Sequence, residues 1–337
     1  MSAPGEAYAR AGVSQSDSDA GVAALVAELA GLEPDGGRRA LSLPGHYASV
    51  LRLDDRRGLA MCTDGVGTKL LVAERLGRWD TVGIDCVAMN VNDLICVGAR
   101  PIAMLDYIAV PAADPPTLAQ VGRGLRRGAE LAGIEIPGGE LAQVGEIVNG
   151  LDLVGAAVGL VDLDAIVTGA SVEPGDPVLG LPSSGPHSNG YTLARSALAE
   201  VPLDDGRLGR PLGELLIEPT EIYVAAALDL LSSAVDVRGL AHITGDGVRN
   251  LLRLEADVGF EIDDPLPVPP IFGLIQELGG VGDDEMHTVF NMGCGFCCVV
   301  AASDEGSALE LLRRHYPEAK RIGRATDRPG EVLRGVR

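Results

Sequence analysis

Lysine is nearly absent from this chain: of 27 basic residues only Lys69 and Lys320 are lysines. With a formal charge of −21, it lacks the clustered positive charge that neutralises a phosphate backbone, which excludes an electrostatic nucleic-acid binder. Long apolar runs are missing too. The longest, such as Gly293 to Ala302, fall well short of the roughly 20 residues a membrane helix needs. The opening stretch "MSAPGEAYARAGVSQSDSDAG" has neither the charged nor the apolar region of a secretion signal, so a cytoplasmic protein with no membrane partner is expected. No GxxxxGK[ST] loop and no convincing GxGxxG turn is present, so any use of ATP requires another architecture.

Cysteines are few. Cys62, Cys86, Cys96, Cys294, Cys297 and Cys298 sit mostly inside apolar segments, as reduced core thiols do, and this argues against a disulfide framework. "CGFC" at 294–297 is a CxxC, but a zinc site needs two further spaced ligands, and "FNMGCGFCCVVAA" has the pattern of a buried strand. Aromatic residues make up only 3%, so the 46% of hydrophobic residues must build cores from Ala, Val, Leu and Ile, with 45 glycines marking tight turns and close approaches. A length of 337 residues suggests two domains of about 150 residues each.

Apolar runs that read as strands alternate with segments of helical spacing. "YASVLRLDD" and "GLAMCTD" read as paired strands. "TKLLVAERLG" is a helix stopped at Gly77, and "TVGIDCVAMNVNDLICVGA" an apolar helix interrupted by Asp85, Asn92 and Asp93. The pattern restarts after the Pro/Gly/Asp cluster at 169–177. A mixed α/β (α+β) fold is therefore expected, with an N-terminal domain over 1–168 and a C-terminal domain over 169–337.

Several stretches carry chemistry. In "CTDGVGTK" (62–69), a compact ammonium beside glycines suggests anion handling. Asp64 ends an apolar strand just before a glycine turn and a helix start, where a carboxylate can hold a magnesium ion that bridges phosphates. Asp85, Asn92 and Asp93 need polar partners within so apolar a helix, and Asp93 is the second metal candidate. Asp106 interrupts another apolar strand, and Glu140 follows a proline and two glycines in an expected tight turn. In "LPSSGPHSNGYTLAR" (181–195), hydroxyls, an amide, an imidazole and free N–H groups gather as a phosphate cradle requires. The same letters lie one residue from a GxSxG nucleophile elbow, with Pro186 in place of glycine and His242 or His287 as possible partners. "GLAHITGDG" sets His242 and Thr244 at another strand end before a glycine turn.

Taken together, "YARAGV" (8–13), "TDGVGTKLLVAERLGRWDTVGIDCVAMNVNDL" (63–94), "LDYIAV" (105–110), "GGE" (138–140), "SSGPHSNGYTLAR" (183–195), "EPTEIYV" (218–224), "AHITGDG" (241–247) and "FNMGCGF" (290–296) resemble the aminoimidazole ribonucleotide synthetase family, in family order over nearly the whole chain. The resemblance implies two α/β domains, a homodimer whose N-terminal sheets pair into a barrel, and an ATP site without a P-loop. It implies ATP-dependent ring closure of a small ribonucleotide substrate in purine biosynthesis. On that resemblance Asp64, Asp93 and Glu140 hold Mg²⁺; Gly65, Gly67, Thr68, Lys69 and Asp106 contact ATP; and Ser183, Ser184, His187, Ser188, Asn189 and Thr244 bind the ribonucleotide. His242, His187 and Lys69 are the expected catalytic groups.

The chain departs from the family pattern at "RRALSLPGHYASVL" (38–51), where many members have a Gly/Phe-rich loop. It also departs at Leu141 and Gly145 after "GGE", and at Asp246 where "TGGG" is common. Two alternatives follow: a related kinase, selenophosphate synthetase or carbamoyl dehydratase of the same superfamily, or a nucleotide-binding paralogue without turnover.

Overall fold

The computed structural model describes residues 15–32, 34 and 37–335; "YARAGV" lies outside them. A first helix, α1 (Gln15–Leu29), precedes a five-stranded sheet made of β1 (Ser49–Arg52), β2 (Arg57–Gly65), β3 (Arg100–Val110), β4 (Glu135–Gln143) and β5 (Asp152–Asp162). The spatial order is β1-β2-β5-β3-β4, antiparallel except for the parallel pair β3/β4. Asp54 tightens the β1/β2 turn by accepting the backbone N–H groups of Arg56 and Arg57.

The expected tight turn around Pro137-Gly-Gly-Glu140 is instead part of edge strand β4. Parallel pairing with β3 supplies the backbone partners that the local sequence does not reveal.

Helices α2 (Leu70–Leu76), α3 (Val82–Cys96) and α4 (Pro115–Ala132) accompany this sheet. α2 ends at Gly77 in the left-handed conformation, as its sequence predicts, while Asp114 caps α4 by accepting the Thr117 N–H. The α3 and α4 backbones approach so closely that a Cβ on Gly83 would stand 2.2 Å from the Leu125 nitrogen.

The second sheet holds six strands: β6 (Pro177–Pro182), β7 (Val237–His242), β8 (Gly259–Ile262), β9 (Cys294–Val300), β10 (Lys320–Thr326) and β11 (Val332–Arg334), ordered β11-β8-β10-β6-β9-β7. With it run α5 (Tyr191–Ala197), α6 (Leu212–Leu216), α7 (Val224–Leu231), α8 (Pro270–Gly279), α9 (Asp283–Val289) and α10 (Glu305–Leu312). The mixed α/β reading holds. Between β7 and β8 the chain forms a 3₁₀ segment from Gly247 to Arg253.

β9 is buried along its whole length, and the Cys294 and Cys297 sulfurs lie 3.6 Å apart as free thiols within it. α3 contacts the first sheet as well as β7 and α7, so one hydrophobic core runs continuously between the two halves. That continuity places the polar face of α3 at the seam.

Candidate active site

Glycine positions α3 over the first sheet. Gly155 of β5 stands opposite both Asp64 of β2 and Asp106 of β3, and a Cβ there would meet the Asn90 amide at 2.6 Å. With that side chain absent, Asn90 reaches the sheet. Its Oδ1 accepts the Asp64 N–H (3.1 Å), and its amide donates to the carbonyls of Asp64 (3.1 Å) and Cys86 (2.9 Å). Asn90 was not among the candidates, yet it carries the same signal as Asn92, a polar residue in an apolar helix.

Asp64 is thereby held beside α3, its Oδ1 accepting the N–H of Gly65 at 2.7 Å. Burial, then the neighbouring Asp93, push its carboxyl above the ordinary carboxylate range. Asp106 is half-buried on β3, two strands from Asp64, its carboxyl over Gly139 and raised by burial. Gly67 is exposed in the left-handed region (φ 68°), and Thr68 is exposed with its hydroxyl 3.2 Å from that of Thr192 in α5. Glu140 is exposed on β4 opposite Tyr107. Among the described residues no three carboxylate, histidine or cysteine side chains converge as a metal cage. The expected Asp64–Asp93–Glu140 trio therefore reduces to Asp64 and Asp93, because an edge strand two strands beyond β5 carries Glu140 away.

His242 is fully buried at the end of β7, and its Nδ1 meets Asp93 Oδ1 at 2.9 Å. Its Nε2 lies 3.4 Å from the Asn92 amide, which also donates to the Glu221 carbonyl, while Asn92 Oδ1 accepts the Tyr223 N–H. Both ring nitrogens thus face protein groups. His242, expected as a catalytic group, is engaged on both sides, by Asp93 and by Asn92.

Lys69 is also corrected. It is 0% exposed, and its ammonium donates to Asp85 Oδ1 (2.8 Å), the His187 carbonyl (2.9 Å) and the Glu218 carbonyl (2.6 Å). Three donors meet three acceptors, which leaves none for a phosphate.

On the facing loop, Ser183 donates to Asn291 Oδ1, Ser184 to the Pro219 carbonyl, and Ser188 Oγ lies 3.1 Å from Thr220 Oγ1. Those hydroxyls hold the loop together. The groups without a protein partner are His187 Nδ1 and the Asn189 amide, both buried. His187 Nε2 accepts the Ser184 N–H at 3.3 Å, so the ring proton sits on Nδ1. Burial first, then His242 and Lys69, hold this imidazole well below the ordinary histidine range and keep it neutral.

Thr244 donates its N–H to Asn250 Oδ1, and Asn189 Oδ1 lies 4.0 Å from where a Cβ on Gly245 would stand, which joins the 183–190 and 244–247 loops. A nucleophile elbow at Ser188 is not formed, since its hydroxyl meets Thr220 and His287 meets the Asp283 carbonyl. Thr220 and Asn291 escaped the sequence reading because they bond distant segments, whereas Asn250 bonds the nearby Thr244 and Gly245.

The arrangement offers paired carboxylates, a glycine turn and a neutral imidazole donor at one seam. Residues 45–161 match the family described as AIR synthase related protein, N-terminal domain, and residues 173–336 the corresponding C-terminal domain. The chain is 50% identical over 295 residues to a phosphoribosylformylglycinamidine cyclo-ligase of Methanothermobacter thermautotrophicus, covering 86% of this chain and 85% of that one. It is 50% identical over 290 residues to the protein so named in Pyrococcus furiosus, again covering 86% and 85%. Its fold is similar to that of a hydrogenase maturation protein HypE in complex with ATP (TM-score 0.62, 19% identity, 84% of this chain and 83% of that one). No helix among the described residues is long and apolar enough to cross a membrane.

Proposed function

Because the chain belongs to the AIR synthase related family through both its domains, we propose that it is an ATP-dependent ligase closing formylglycinamidine ribonucleotide to 5-aminoimidazole ribonucleotide in purine biosynthesis. The observation that carries this reading is the meeting of the TDGVGTK turn with the SGPHSNG loop at one seam, in a chain half identical to cyclo-ligases over most of its length.

Amide oxygen is a poor leaving group. Transfer of the ATP γ-phosphoryl to the formyl oxygen makes it a good one; an internal amidine nitrogen then forms the new C–N bond, and phosphate departs with that oxygen. Aminoimidazole ribonucleotide, ADP and phosphate result. Such a transfer needs positioning and charge neutralisation more than covalent help.

Asp64 and Asp93 suit a magnesium ion. Both are oxygen donors, and the Asp64 carboxyl, raised first by burial and then by the neighbouring Asp93, is in surroundings that a cation would offset. When bound, the ion would neutralise charge on the phosphate oxygens. Gly65 shapes the turn, and the exposed Gly67 and Thr68 are offered to the nucleotide, with Asp106 at its edge. His187 Nδ1–H and the Asn189 amide are placed to donate to substrate oxygens; a neutral imidazole polarises an amide oxygen without giving up its proton. Ser183, Ser184, Ser188 and Thr244 shape that loop.

A division into domains near residue 169 is supported by the two sheets, one before and one after it. A homodimer through the outer face of the first sheet is supported by Leu105, Tyr107 and Leu160, which stand exposed on it.

The test is a coupled assay with formylglycinamidine ribonucleotide, ATP and Mg²⁺, in which ADP and aminoimidazole ribonucleotide are expected in equal amounts. Nucleotide binding without either product would sink the reading.

A further inference from the structure

Lys69 and Asp85 come from the first half of the chain, and everything they hold comes from the second. Besides Lys69, Asp85 Oδ1 accepts the Thr220 N–H at 2.8 Å and the Thr220 hydroxyl at 2.7 Å, and Asp85 too is 0% exposed. The Lys69 ammonium closes the circuit at the carbonyls of His187 and Glu218. Two loops, 183–190 and 218–221, are therefore fastened at one point to the half that carries Asp64 and Asp93. Thr220 passes the constraint to Ser188. His187 itself sits at φ 60°, a conformation a non-glycine residue keeps only where its surroundings impose it.

Burying this pair has a cost. Desolvation lowers the Lys69 pKa, and Asp85 opposes that shift. Buried ion pairs are a poor source of stability, and a structural role beyond stability is the better-attested reason to keep one. Arginine, so favoured elsewhere in this chain, presents five donors in a planar fork and would leave some unsatisfied among three acceptors. The other lysine, Lys320, makes only a partly exposed pair with Asp264.

We propose that Lys69 and Asp85 are positioning residues, a clamp across the seam that sets the His187 imidazole relative to Asp64 and Asp93 and so governs turnover without touching nucleotide or substrate. This rests on the ligase reading and adds to it the device that aligns its two halves.

The test compares wild type with Lys69→Met, Asp85→Asn, the milder Thr220→Val and the surface control Lys320→Met. Steady-state kinetics, direct ADP binding and the histidine resonances of ¹⁵N-histidine-labelled protein are the readouts. Lys69→Met and Asp85→Asn are each expected to lower kcat by ~10²-fold, the scale of a misplacement near 1 Å, and to shift the His187 resonances. ADP affinity should stay within about twofold, and the double variant should lose little more than either single one, as coupled residues do. Thr220→Val should lose about tenfold and serves if the charge variants do not fold.

Weakened ADP binding in Lys69→Met with normal binding in Asp85→Asn would make Lys69 a phosphate ligand and overturn the clamp. Full kcat in a folded Lys69→Met also overturns it. An inactive wild type would instead refute the ligase reading, and the clamp then stands or falls on whether the His187 resonances move in Lys69→Met and Asp85→Asn but not in Lys320→Met.

Discussion

The two glycine-rich turns that meet at the seam use their polar atoms in opposite ways. In the TDGVGTK turn the carboxylate is the group left for chemistry: Asp64 carries the raised carboxyl, while the lysine is buried and spent on the opposite loop. In the SGPHSNG loop the hydroxyls are spent on their own half, and the imidazole and amide N–H groups remain. One turn presents negative charge suited to a cation, and the other presents neutral donors suited to anionic or carbonyl oxygen. A phosphoryl transfer needs both, and a motif in which every polar residue is taken as a ligand misreads each of them.

The strongest way to break this contrast is to remove the negative charge. Asp64→Asn is expected to lower turnover on the order of 10³-fold, comparable to losing a principal electrostatic contact at a reacting phosphoryl group. It should also stabilise the protein free of Mg²⁺ and nucleotide. A carboxyl whose folded pKa is raised contributes stability below its unfolded value of 3.8, and that stability is lost as pH rises through the raised folded value. At neutral pH wild type has therefore lost it and Asp64→Asn has not. Calorimetry without Mg²⁺ should show a higher Tm for Asp64→Asn near pH 7, with the gap closing toward pH 4. An equal or lower Tm at pH 7 would remove the argument that burial and the neighbouring Asp93 disfavour the Asp64 carboxylate.

A smaller effect sharpens the first side of the comparison. If His242 works by orienting Asp93, what matters is the donor at Nδ1. Asparagine keeps an amide near that position, whereas glutamine reaches toward Nε2. His242→Gln should cost about 10–100-fold in Mg²⁺-dependent activity, typical of losing a group that orients a ligand. His242→Asn should recover most of it. Equal losses in both variants would mean that the ring does something other than hold Asp93.

Much of the fold was legible because its signals are local: the glycine stop at Gly77 and apolar strands ending in glycine turns. β4 was not, since its partner strand β3 is more than twenty residues away and its own Pro-Gly-Gly text reads as a turn. The site divides in the same way. Asp64, Asp93 and His242 announce themselves as costly polar groups in or at the ends of apolar elements, and His187 by the polar loop that gathers around it. Asp106 joins Asp64 only through the shared register with Gly155, which no spacing along the chain reveals. Lys69 was misassigned because its burial is created by loops 118 and 149 residues further on. Asn90 was readable by the reasoning applied to Asn92, so missing it was an oversight and not a limit of the sequence.

The smallest expected effect lies at the rim of the second turn system, where Asp246 replaces a residue that is commonly glycine in the resembling family. Asp246 is exposed and sits at φ 75°, in the left-handed region that a Cβ disfavours. Its backbone is held there from both sides, by the N–H bonded to the Thr288 carbonyl and by the carbonyl accepting the Arg249 N–H. At the next residue, Gly247, a Cβ would stand 2.1 Å from the His287 carbonyl oxygen. The turn is therefore fixed by its surroundings and tolerates the aspartate at a cost. Asp246→Gly relieves the left-handed strain but frees the unfolded chain, so the net gain should be only about 0.5–1 kcal/mol, a rise of roughly 1 °C in Tm for a chain of this length. Removing a negative charge near the 187–189 loop should also lower KM for the anionic ribonucleotide slightly, with kcat unchanged. A fall in Tm would show that the Asp246 side chain contributes more to this turn than its backbone conformation costs.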